Sequence, residues 1–117
     1  MDEKEFKDRT KKFALRVIKM VESLPNDRAA DVLGKQLLRS ATSVAANYRS
    51  ACRAKSKADM IHKLSIVEEE ADESLLWMEL LVESDLVKAS RLNALRAECN
   101  EILAMVVASI RTLRSRK

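Results

Sequence analysis

Chain punctuation is nearly absent here: across 117 residues there is one glycine, Gly34, and one proline, Pro25. Tight turns between strands draw on Gly, Pro and Asn. Two such residues cannot supply the turns of a β-rich domain of this length. The chain is built instead from Ala, Leu, Glu, Lys and Arg, which lose least on entering a helix. A few long helices are therefore expected, and apolar residues recurring at three- and four-residue steps locate them.

Four segments emerge. The first helix is expected over residues 2–24, where Phe6, Phe13, Val17, Met20 and Leu24 form a stripe widened by Ala14, Ile18 and Val21. Pro25, Asn26 and Asp27 end it. The second is expected over 28–54, with Val32, Leu33, Leu37, Ala41, Val44, Tyr48 and Ala51 inward. Gly34 lies inside it at a cost of about 1 kcal/mol against Ala, which points to close helix approach there. The third is expected over 57–83, opening on Ser56 with Asp59 three residues on, a variant of the capping box. Ile61, Leu64, Ala71, Leu75, Met78 and Val82 should face inward, with Ile66, Trp77, Leu80 and Leu81 outside that seam. The fourth is expected over 88–114, where Leu92, Leu95, Cys99, Ile102, Val106, Ser109 and Leu113 keep heptad spacing.

Short junctions make consecutive helices antiparallel neighbours. The expected fold is all-α, an antiparallel up-down-up-down four-helix bundle, in one domain over residues 1–117. A hydrophobic content of 47% suffices for a core, and 3% aromatics make it aliphatic. Trp77, Leu81, Leu103, Val107 and Ile110 exceed what one seam needs, and apolar residues gathered on a second face imply an oligomer.

Net charge is +4, but its placement says more. Up-down topology brings residues 1–12, 49–63 and 107–117 to one tip. Fourteen bases stand there against five acids: Arg49, Arg53, Lys55, Lys57, Lys63, Arg111, Arg114 and Arg116, with Lys4, Lys7, Arg9, Lys11, Lys12 and Lys117. The helix macrodipole accounts for bases at helix C-termini such as Arg53, Arg111 and Arg114. It does not account for Lys11, Lys12, Lys55, Lys57 and Lys63. A basic tip fits phosphate backbones; a merely solvated end, a membrane surface and an acidic protein are the rival readings. Beyond Phe6 and Phe13 of the first apolar stripe, Tyr48 is the one aromatic residue near these bases, so base stacking is not signalled. Binding to RNA or DNA would be backbone-driven and strongly salt-dependent.

Chemistry finds little purchase. Cys52 and Cys99 have no metal-ligand spacing and read as reduced thiols. The acidic run from Glu68 to Glu73 is a candidate carboxylate site, but two-metal bundles need two Glu-x-x-His pairs. His62 is the only histidine, preceded by Asp59 at that spacing. Ser40 and Ser43 lack a nearby base, and no glycine loop cradles phosphate. No catalytic residue, metal or cofactor is expected. The start of the chain carries no apolar leader, and no stretch is long enough for a bilayer. The cytoplasm is the expected location.

A polar stripe on the second helix stands out: Gln36, Arg39, Ser40, Ser43 and Asn47. Glu70 and Glu73 are its candidate partners, since buried polar groups need them. A structural network and a ligand or partner site are both compatible with the pattern.

The run Leu33-Gly34-Lys35-Gln36-Leu37-Leu38-Arg39-Ser40-Ala41-Thr42-Ser43-Val44-Ala45-Ala46-Asn47-Tyr48-Arg49, together with Ala54, Ser56, Ala58, Asp59, Lys63, Leu64, Glu69 to Glu73 and Trp77, resembles the proteins encoded in intervening sequences of bacterial 23S rRNA genes. That family includes the accessory variability proteins of diversity-generating retroelements. The likeness runs from about Phe6 to Thr112. It implies a four-helix bundle, a ring-like homopentamer, a basic surface for RNA or DNA, a reverse-transcriptase partner in the retroelement branch, and no enzymatic activity. The family positions carried over are Gln36, Arg39, Ser40, Ser43, Asn47, Glu70 and Glu73. The expected function is an oligomeric nucleic-acid-binding accessory protein, with an adaptor recruiting a reverse transcriptase or other protein as the alternative.

Overall fold

The computed structural model describes residues 2–116, and Met1 and Lys117 fall outside them. Four helices follow one another: α1 (Glu3–Glu22), α2 (Arg28–Ala51), α3 (Lys57–Glu83) and α4 (Ala89–Ser115). Among the described residues there is no strand. Each of the first three helices starts on a side-chain cap. Asp2 accepts from the Glu5 N–H at 2.8 Å, Asp27 from Ala30 at 3.1 Å, and Ser56 from Asp59 at 3.0 Å. Asp59 in turn accepts from the Lys55 N–H at 3.0 Å, one residue ahead of the Ser56 N–H that a capping box would use. α3 ends in a Schellman turn, with Leu86 N–H bonded to Leu81 O and Asp85 N–H to Val82 O. That turn puts Asp85 at φ 62°, where glycine is usual.

The helices form a closed square. α1 packs on α2, α2 on α3, α3 on α4 and α4 back on α1, while diagonal pairs stay apart. The α2–α3 seam is the most extensive and the α4–α1 seam the thinnest. The molecule is a rod of 50 × 20 × 19 Å. Its core is aliphatic apart from Phe13 and an edge-to-face pair of Phe6 and Tyr48 with centroids 4.6 Å apart. Gly34 is buried against α1: a Cβ there would lie 2.8 Å from Leu24 Cδ1 and 3.3 Å from Val21 Cγ1. Close approach at the glycine is therefore what its position provides.

Several inward assignments need correction. Val32 is 54% exposed, because Ala30 and Gly34 hold the core face at the start of α2. Leu81 and Ile110 belong to the core and not to a second face, and Ser109 is exposed. A straight helix drifts about 20° per heptad against a strict seven-residue repeat. After Val106 the inward step on α4 is therefore four residues, to Ile110. On α3 the core stripe is Leu64, Val67, Ala71, Ser74, Met78 and Leu81, so Leu75 and Val82 pack at its edge. α2 stops at Ala51, three residues before the expected end, and Cys52 caps it.

Candidate nucleic-acid interface

Three contacts define the tip. Phe6 on Tyr48 joins the start of α1 to the end of α2. The α2–α3 link, residues 52–56, is tied down by Asp59. Lys57 Nζ donates to the Arg116 carbonyl, which joins the start of α3 to the end of α4. The three basic segments thus meet at one end of the rod. Arg49, Arg53, Lys55, Lys57, Arg111, Arg114 and Arg116 are exposed there. Lys63 is half-buried and paired with Asp59 at 3.3 Å. The Asp59 carboxyl is held below its ordinary value, first by the Lys55 N–H and then by Lys63.

Not every base at this end is free. Arg9 grips Glu98 with two 2.7 Å hydrogen bonds, reaches Glu101 at 3.1 Å and meets Met105 Sδ at 3.3 Å. It pins the thin α4–α1 seam and adds little outward charge. Lys12 pairs with Asp8 one turn back at 2.9 Å. Arg49 lines a groove between α1 and α2 with Lys4, Lys7 and Lys11. Sequence reading counted these lysines by pole and missed that they share a groove. Their i, i+3, i+7 spacing, followed by Leu15, was the available signal.

The polar stripe divides in two. Arg39 donates to Glu70 at 3.0 Å, to Glu73 at 2.6 Å and to Gln36 at 3.3 Å. The Ser40 and Ser74 hydroxyls lie 2.8 Å apart at the centre of the α2–α3 seam, and Ser74 donates to the Glu70 carbonyl. These five residues with Ser74 form one network that runs from the exposed Gln36, Arg39 and half-exposed Glu73 into the buried Glu70, Ser40 and Ser74. Asn47 and Ser43 bond only to each other's turn on α2. Ser74 escaped the sequence reading because a serine within an apolar run looks like an interruption.

Among the described residues no three His, Cys, Asp or Glu converge to hold a metal ion. His62 is exposed. Cys99 is buried, donates to Ala71 O at 3.2 Å, and has its thiol pushed up to about 12 by burial. No helix of the described residues is long and apolar enough to cross a membrane.

The comparisons with known proteins follow this architecture. The family model described as 23S rRNA-intervening sequence protein matches residues 3–108. The chain belongs to the 23S rRNA-intervening sequence protein family. A solved structure from Bacteroides thetaiotaomicron is 34% identical with a TM-score of 0.88, covering 95% of this chain and 99% of that one. It is described as a protein of unknown function from the S23 ribosomal protein family. The search of curated proteins gave no match. For this member of the 23S rRNA-intervening sequence family, the all-α four-helix bundle thus agrees with the family likeness.

Proposed function

We propose that this protein is a non-enzymatic, oligomeric accessory factor that binds RNA or DNA through its basic tip. The observation that carries this reading is the meeting of three distant basic segments at one end, while acids crowd the rest of α3. Arg49, Arg53, Lys55, Lys57, Lys63, Arg111, Arg114 and Arg116 would contact phosphates. Their long side chains suit a repeating anionic backbone more than a single base edge. The association of the family with ribosomal RNA genes supports the same direction. Assembly is supported by Val32, Leu76 and Leu80, which are 54%, 44% and 38% exposed. One heptad along from the Arg39–Glu73 pair, antiparallel packing sets Val32 opposite Leu80, with Leu76 one turn away. Three aliphatic side chains so placed make a patch for another copy.

Filter binding of a structured RNA across a salt series tests the tip. Each phosphate neutralised contributes a slope of about −0.9 in log affinity against log salt for a duplex. Arg111→Glu with Arg114→Glu is expected to flatten that slope. Affinity independent of salt, or a slope unchanged in the double variant, refutes backbone binding at this site.

A further inference from the structure

The groove between α1 and α2 does not resemble a phosphate track. Its floor is Ala14, Leu15, Ala45 and Ala46, and its volume is ≈600 Å³. Leu15 is the most exposed of the large apolar residues, at 55%. Around this floor stand Lys4, Lys7, Lys11 and Arg49. Among the described residues none of these four makes an ion pair, and the one acid in the lining, Asp8, is taken by Lys12. Phosphates and riboses gain nothing from an aliphatic floor, and no aromatic is there for a base to stack on. A protein helix with leucines on one face and carboxylates on its flanks satisfies both features together.

We propose that the α1–α2 groove docks an acidic amphipathic helix of a partner protein. From Lys4 to Leu15 the groove runs about 16 Å at 1.5 Å per residue, room for three helical turns. The partner's leucines seat on Ala14, Leu15, Ala45 and Ala46. Its Asp and Glu side chains face Lys4, Lys7, Lys11 and Arg49. The chain's own acidic apolar ridge, Leu76 and Leu80 on α3, is a poor occupant. Near the opposite end of the rod, it lies about 20 Å too far along the axis for a parallel copy standing side by side, and the light-scattering outcome below covers an antiparallel one. The proposal does not rest on the nucleic-acid reading, since only Arg49 is shared.

The test uses the full chain and a fluorescein-labelled 15-residue peptide with Leu at positions 4, 8 and 11 and Glu on both flanks. A scrambled peptide of the same composition is the control. Fluorescence anisotropy should show the amphipathic peptide binding at least tenfold tighter than the scramble. Leu15→Glu, and separately Leu15→Gln, should each weaken it at least tenfold while RNA binding and far-UV circular dichroism stay unchanged. Three results overturn the proposal: equal binding of both peptides, as expected of a groove that reads charge alone; no binding of either; or a fall in oligomer mass by light scattering in Leu15→Glu, which would make the groove a contact between copies.

Discussion

Removing the charge of Glu98 should loosen the bundle at its weakest seam. Arg9 and Glu98 hold α1 to α4 by a two-pronged contact, with side-chain exposures of 22% and 17%. That places the pair between exposed ion pairs, where breaking costs about 0.2–1 kcal/mol, and buried ones, where removing a partner costs about 3–5 kcal/mol. Glu98→Gln, which keeps the shape, should cost about 2 kcal/mol at neutral pH. An unfolding entropy of about 2.1 cal/mol/K per residue over this chain turns that into a Tm fall of about 8 °C. Lys12→Gln breaks the Lys12–Asp8 pair, exposed by 71% and 58%, and should shift Tm by no more than about 2 °C. Acid supplies the sharper criterion. The Arg9 hydrogen bonds lower the Glu98 pKa from its ordinary 4.5, against an opposing push from burial. A depressed carboxylate contributes stability that is present above its unfolded pKa and lost as pH falls through its folded one. The gap between wild type and Glu98→Gln should be constant above about pH 5 and close progressively below it. Thermal melts by circular dichroism at fixed ionic strength measure the gap. If it stays constant or widens from about pH 5 to pH 2.5, the contact acts through packing and the electrostatic argument is wrong.

Other perturbations follow from the same geometry. Arg39→Met strands the Glu70 carboxylate at 8% exposure and, with Arg39 itself half-exposed, should cost about 1–2 kcal/mol in urea unfolding. Adding Glu70→Leu should restore part of that loss. Asp85→Gly relieves the left-handed turn after α3 and should raise stability by about 0.5–1 kcal/mol, read as a higher Tm. With its thiol pushed up to about 12, Cys99 should resist a thiol reagent at neutral pH in the native protein and react once unfolded.

Helix positions were largely legible because each junction carries its own chemistry: Pro25 with Asp27, Ser56 with Asp59, and the Ser84–Asp85 turn. The inward face was legible on α1, where Phe6, Phe13, Val17 and Met20 stand among charges. It was misplaced on α3, whose apolar residues spread round the helix: Leu75, Leu76, Leu80 and Val82 compete with the true stripe. Glu70 and Ser74 fit the period of that stripe but are polar, so hydropathy alone passes over them; Arg39 and Ser40 meet them in the interior. On the site, Arg39 with Glu70 and Glu73 could be anticipated from complementary charge on neighbouring helices. Arg9 with Glu98 could not: 89 residues separate them, and which helix closes the square is decided by packing.

The polar network and the basic tip are coupled through register. Aliphatic seams of two antiparallel helices tolerate a slip of one heptad, because leucines meet leucines again. Polar groups do not, since each one displaced into the seam loses its partner. Arg39 on Glu70 and Glu73, and Ser40 on Ser74, therefore select one alignment of α2 and α3. A slip of seven residues would carry Lys57 about 10 Å along the axis, away from Arg116 and from the end of α2. The tip would then split into two weaker clusters, and Lys57 could no longer hold the last turn of α4. The residues that gather positive charge at the surface thus depend on uncharged and paired groups in the interior, which touch no phosphate. Weakening that interior network should degrade polyanion binding through alignment, with the count of exposed bases unchanged.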